Sequence, residues 1–298
     1  MKKVILFLLL FTFALGSSVS AHVTNEKTLY DDIQFSKAKE EIVYLRGLDV
    51  IPYEHGVKLY KPNEKLTNKD LAFWASSFKG AAAEDAKRED IEKTALKNGI
   101  VDSLDGNATY ADVNQAYFNG HAAVSNPDRT LTREEFALFM GEFFNTKVNG
   151  KTLFDMSHAE QGPNGNIEKV KMEKEGRGED VTKVFHFTID GQEYKVSPHP
   201  KMLYGPTDLS QWEGKKVKDS WLMGHGDEEV LQIVKLEKGQ FLDNENEDQN
   251  SNSTEHREDA GEAQSGTTSE ETSLPIVPLI GGAILLGIMI WLFVKKKK

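Results

Sequence analysis

Residues 61–74 (Lys61-Pro62-Asn63-Glu64-Lys65-Leu66-Thr67-Asn68-Lys69-Asp70-Leu71-Ala72-Phe73-Trp74) return sixty-five positions later as residues 126–139. At that single offset Pro62 falls on Pro127, Leu66 on Leu131, Thr67 on Thr132, Asp70 on Glu135 and Ala72 on Ala137. A match at one fixed period marks a repeated supersecondary unit, which restricts the fold more than any composition does. Each copy predicts a loop entering a helix. Proline keeps the approach out of helix, and Thr67 or Thr132 can accept from the free amides of the first turn. The acid three residues on makes a capping box with Thr132 and Glu135, and a weaker one with Thr67 and Asp70. Apolar residues then recur at helical spacing (Leu71, Trp74, Ala75, Phe78; Phe136, Phe139, Met140, Phe143). A single helix of this kind cannot bury its own stripe, so the copies are expected to pack on one another or on neighbouring helices.

Upstream of each copy a further helix is expected, over 40–48 closed by Gly47 and over 91–100 closed by Gly99. The unit is therefore helix, Gly-aliphatic turn, short extended piece, Pro-containing loop and capped helix. The residues Tyr44-Leu45-Arg46-Gly47-Leu48, Tyr60-Lys61-Pro62 and Leu66-Thr67-Asn68-Lys69-Asp70-Leu71-Ala72, with their counterparts around Gly99, Pro127 and Leu131-Thr132-Arg133-Glu134-Glu135-Phe136-Ala137, resemble the S-layer homology repeat of Gram-positive envelopes. That resemblance covers roughly residues 28–145. The family's Thr-Arg-x-Glu tetrad matches at Thr132-Arg133-Glu134-Glu135, while Asn68 stands where the first copy would need arginine. The resemblance implies that Arg133 helps hold an anionic secondary cell-wall polymer, with Thr132 and Glu135 shaping the helix start. Residues 107–118 predict another threonine-capped helix, a degenerate third unit or an insertion, and the two remain open.

The amino terminus pairs Lys2 and Lys3 with an apolar run over 4–16 and small residues at Ser20 and Ala21. This is the pattern of a secretory signal peptide over 1–21, with His22 the first mature residue. A free amino-terminal histidine can chelate copper through its amine and ring, but no second motif in the sequence pairs with His22. With no cysteine, disulfide and thiolate chemistry are excluded.

Beyond the repeats (28–147) the texture changes to short alternating runs with glycine turns, including Asp190-Gly191 between 184–189 and 193–196. Residues 148–240 are expected to form a small β-sandwich or OB-like barrel of five or six strands. Four histidines lie here: His158, His186, His199 and His225. Met156-Ser157-His158 and Met223-Gly224-His225 offer thioether beside imidazole, a donor set that suits copper. His186, between Phe185 and Phe187, is expected simply to face solvent. Asp227, Glu228 and Glu229 admit either paired carboxylates or an acidic turn.

Residues 242–273 hold ten acids against Arg257 and almost nothing apolar, which predicts a disordered linker and accounts for most of the net charge of -11. Residues 274–294 are uncharged and precede four lysines at 295–298, the pattern of a transmembrane helix with a cytoplasmic tail and the body outside. The expected architecture is thus α+β and multi-domain: helical repeats, a small β module, an acidic linker and one membrane span. The expected role is a single-pass envelope protein, not an enzyme, binding secondary cell-wall polymer or a peptidoglycan-associated glycan, with no cofactor or resident metal. The acidity argues against nucleic acid. Copper handling by the β module and a protein-interaction scaffold stand as alternatives, and oligomeric state is left open.

Overall fold

Threonine starts the helices on which the structure is built. In the computed structural model, which describes residues 22–81, 83, 86–176, 182–226 and 228–241, helix α1 spans Lys39–Gly47, α2 Asn68–Phe78, α3 Arg88–Lys97, α4 Tyr110–Phe118, α5 Arg133–Glu142 and α6 Leu153–Met156. Thr67, Thr109, Thr132 and Thr152 cap α2, α4, α5 and α6, each accepting from the amide of the acid three residues on. Satisfying otherwise orphaned first-turn amides in this way stabilises a helix start by about 1 kcal/mol.

The residue before each of three caps joins a ring. Leu66 N donates to Leu131 O at 3.0 Å, Leu131 N to Ala108 O at 3.3 Å, and Ala108 N to Leu66 O at 2.8 Å. The starts of α2, α4 and α5 are thereby tied together, with Leu66, Ala108 and Leu131 fully buried. Residues 107–118, which the sequence leaves open, supply one arm of this ring. The three helices then share an aromatic core, in which Phe136 lies 5.3 Å from Trp74 and 6.0 Å from Tyr117. Each such buried side chain contributes about 1.5–3 kcal/mol.

Seven strands form one sheet: β1 Thr24–Asn25, β2 Ala159–Gln161, β3 Gly165–Glu175, β4 Thr182–Ile189, β5 Gln192–Leu203, β6 Lys216–His225 and β7 Glu228–Leu236. Their order is β1-β5-β4-β3-β6-β2, and β7 pairs with both β5 and β6, so β3, β4, β5, β7 and β6 make a closed circuit. The β5–β7 pairing is parallel, whereas β3–β4, β4–β5, β3–β6 and β6–β7 are antiparallel. Inside lie Ile167, Phe187, Val196, Leu231 and Val234, with Trp212 of a 3₁₀ turn (Leu209–Trp212) stacked 5.9 Å from Phe187.

The expected fold class is corrected by this arrangement. Among the described residues the chain is one mixed α/β unit of six helices and a seven-stranded sheet, not a repeat domain followed by an independent β module. The reason is shared apolar surface: α1 packs on β5 and β7, and Leu203 and Ile233 belong to the same core as the helical residues. Gly47 shows how close the approach is. It is the last residue of α1 rather than the stop beyond it, and a Cβ there would meet Ile233 at 2.6 Å. The left-handed residue that follows is Asp49 (φ 54°), whereas Gly99 (φ 65°) does take the expected left-handed turn.

The single-pass membrane placement is also corrected: among the described residues no helix is long and apolar enough to cross a membrane. Residues 274–294, on which that expectation rested, lie outside the described residues, as do 1–21, 242–273 and 295–298.

Candidate functional site

The three residues singled out in the second repeat do different jobs. Thr132 and Glu135 close a capping box: Glu135 N donates to Thr132 Oγ1 at 3.1 Å and Thr132 N donates to Glu135 Oε2 at 2.8 Å. Glu135 Oε1 also accepts from Arg129 Nη1 at 2.6 Å. Burial would raise the Glu135 carboxyl, but the Thr132 amide and Arg129 outweigh it and lower it.

Arg133 turns inward. Its Nη1 donates to Tyr60 O at 2.9 Å and its Nη2 to Asp70 Oδ2 at 2.7 Å, and the guanidinium lies 5.4 Å from the centre of the Trp74 ring. The side chain is 16% exposed, and Nε is buried with no partner. An arginine from the second copy thus grips the acid of the first, which keeps its bonds with the Thr67 hydroxyl but not one from the Thr67 amide. Asp70 Oδ1 accepts from Arg88 Nη2 at 2.6 Å, and Arg88 reaches Glu92 at 2.9 Å and Glu54 at 2.5 Å. Burial alone would raise the Asp70 carboxyl. The Arg133 charge and the hydrogen bonds from Thr67, Arg133 and Arg88 prevail and hold it below its ordinary value. Asn68, which replaces the arginine of the first copy, donates instead to Asp105 O at 2.6 Å. With Asp70 committed to two guanidiniums, this cluster is built to hold the units together rather than to move protons.

A cleft of about 410 Å³ lies where α1, α5 and α6 face β2, β6 and β7. Asp219 is its polar centre, accepting from Tyr44 Oη at 2.5 Å, Trp221 Nε1 at 3.2 Å and Gln161 Nε2 at 2.8 Å. Trp221 stacks on Phe154 at 3.6 Å, and burial together with Asp219 pushes the Tyr44 phenol up. Glu40, on the opposite wall, binds Tyr204 and Lys235. Tyr44 already stood in the repeat-like segment, but nothing in the sequence paired it with Asp219, 175 residues away.

The histidines do not assemble around the two Met-x-His pairs. Met156 and Met223 pack against the main core, and His158 is exposed with a left-handed backbone. His22 N donates to Pro198 O at 2.9 Å, and its ring sits 6.3 Å from that of His199. Burial lowers the His199 pKa, with smaller contributions from Lys201, His22 and His225. His186 does lie on the face turned away from Phe187, as the alternation predicts, but neighbouring side chains cover it and leave it 14% exposed. Glu228 pairs with Lys195 at 2.9 Å, and Asp227 lies outside the described residues. Compared with family models, curated proteins and solved structures, the chain matches none.

Proposed function

We propose that this chain is a non-catalytic binding protein of the bacterial cell envelope whose helical units associate non-covalently with an anionic wall polymer, in the manner its resemblance to S-layer homology repeats implies. The observation that supports this most is the hydrogen-bonded ring of Leu66, Ala108 and Leu131, which brings three threonine-capped helix starts together. Helix starts carry partial positive charge and suit anionic groups. Exposed cations there include Lys65, Lys69 and Arg129, of which Lys65 and Arg129 act on Glu135. In this reading they meet the polymer's phosphate or carboxylate groups. Arg133 is the positioning residue that sets one unit against the next, and Thr132 and Glu135 shape the helix start.

Retention on isolated cell walls tests the reading. Wild-type protein is expected to bind intact walls in a salt-sensitive way and to be lost from polymer-stripped walls. A Lys65→Ala, Arg129→Ala double variant is expected to bind at least tenfold more weakly. Equal retention on stripped and intact walls would sink the polymer reading in favour of a protein partner.

A further inference from the structure

We propose that His186, Glu173 and Glu175 form a divalent metal site, of the zinc type, on the outer face of strands β3 and β4. One ligand atom from each of the three lies within 4.8 Å of the other two. The strand register makes the cluster. Lys171 stands opposite His186 across β3–β4, and His186 opposite Lys195 across β4–β5, so these side chains share the face turned away from Phe187.

The imidazole is held as a metal ligand is held. Its Nδ1 sits 3.2 Å from Glu193 Oε1, a carboxylate that can accept from Nδ1–H and so leave the Nε2 lone pair facing Glu173 and Glu175. Nε2 is buried and has no hydrogen-bond partner. Glu173 Oε2 stands 3.7 Å from it, too far for a hydrogen bond. Two donors on one tetrahedral zinc ion, each at about 2.0–2.2 Å, stand about 3.3–3.6 Å apart, so the 3.7 Å between Nε2 and Glu173 Oε2 needs to close only slightly. Glu175 supplies the third donor; its side chain is 48% exposed and would exchange its pairing with Lys195 for the ion.

The lysines leave this possible. Lys171 takes the other oxygen of Glu173, Oε1, at 2.6 Å, and Lys195 binds Glu175 at 3.3 Å and Glu228 at 2.9 Å. A cation entering between the glutamates competes with Lys195 for Glu175 and reaches Glu173 through Oε2, the oxygen 3.7 Å from Nε2. One imidazole with two carboxylates favours a borderline ion over calcium or magnesium, which prefer all-oxygen shells. The simpler description is a ladder of ion pairs across the strands, which leaves Nε2 unpartnered. This site uses none of the residues in the wall-binding reading, and neither depends on the other.

The test is calorimetric titration of the untagged full chain with Zn²⁺ at neutral pH, together with the visible absorption of bound Co²⁺. One equivalent of Zn²⁺ is expected at micromolar affinity or better, displacing Co²⁺ and its absorption band. His186→Gln and Glu173→Gln should each weaken binding at least tenfold. Glu193→Gln should weaken it about tenfold by loosening the ring, and His199→Ala should change nothing. If His186→Gln does not fold, judged by circular dichroism, Glu173→Gln and Glu175→Gln decide, since both side chains are exposed. Absence of saturable zinc binding, or affinity unchanged in these variants, would leave only the ion-pair ladder and overturn the proposal.

Discussion

The two copies of the repeat begin alike and finish differently. In the second, Glu135 bends back to its own threonine and completes the cap. In the first, Asp70 stands at the same place three residues past Thr67, yet its oxygens go to Arg133 and Arg88. Side-chain length does not explain this, because Asp112 and Asp155 are equally short and both close their boxes. The supply of partners does. A carboxylate with two guanidiniums in reach makes stronger, charge-assisted bonds to them than to one amide. Thr67 still donates its hydroxyl to Asp70 Oδ2 at 2.8 Å, as Thr109 and Thr152 do to their own acids, so only the bond from the cap amide is given up. The same motif position therefore serves as a local cap in one unit and as the lock between units in the other.

Removing the acid on each side should separate these roles. Asp70→Ala leaves Arg133, 84% covered, without its counter-charge, and should cost about 3–5 kcal/mol, read as a fall in urea midpoint. The stabilisation should also be pH-dependent. Because the folded carboxyl is held below its ordinary value, the contribution is complete above the unfolded value of about 3.9 and disappears as pH falls through the folded one. Wild type and Asp70→Asn should therefore converge in strong acid. Glu135→Ala removes half of a capping box whose partner Arg129 is exposed, and should cost about 1 kcal/mol. Equal losses for Asp70 and Glu135 would erase the contrast.

Much of this could be seen in the chain before its structure. The capped helices followed from Thr67, Thr132 and their acids, because caps and helical stripes are local chemistry. The identity of Asp70's partners did not, since Arg88 and Arg133 are 18 and 63 residues from it. Nor did the union of helices and sheet: no local pattern marks Leu203 and Ile233 as part of the helical core, and Gly47 looked like a helix stop when its missing side chain makes room for Ile233. His186 was correctly placed on an alternating strand, but alternation says nothing of the glutamates and lysines that cover it from neighbouring strands.

The central claim is that an arginine of one unit is held by the acid of the other, and a double-mutant cycle measures that directly. Urea unfolding of Asp70→Ala, Arg133→Ala and the double variant should give a coupling energy of at least about 1.5 kcal/mol. Losses that add to within about 0.5 kcal/mol would mean that the two side chains stabilise the molecule independently, and the lock between the repeats would not exist.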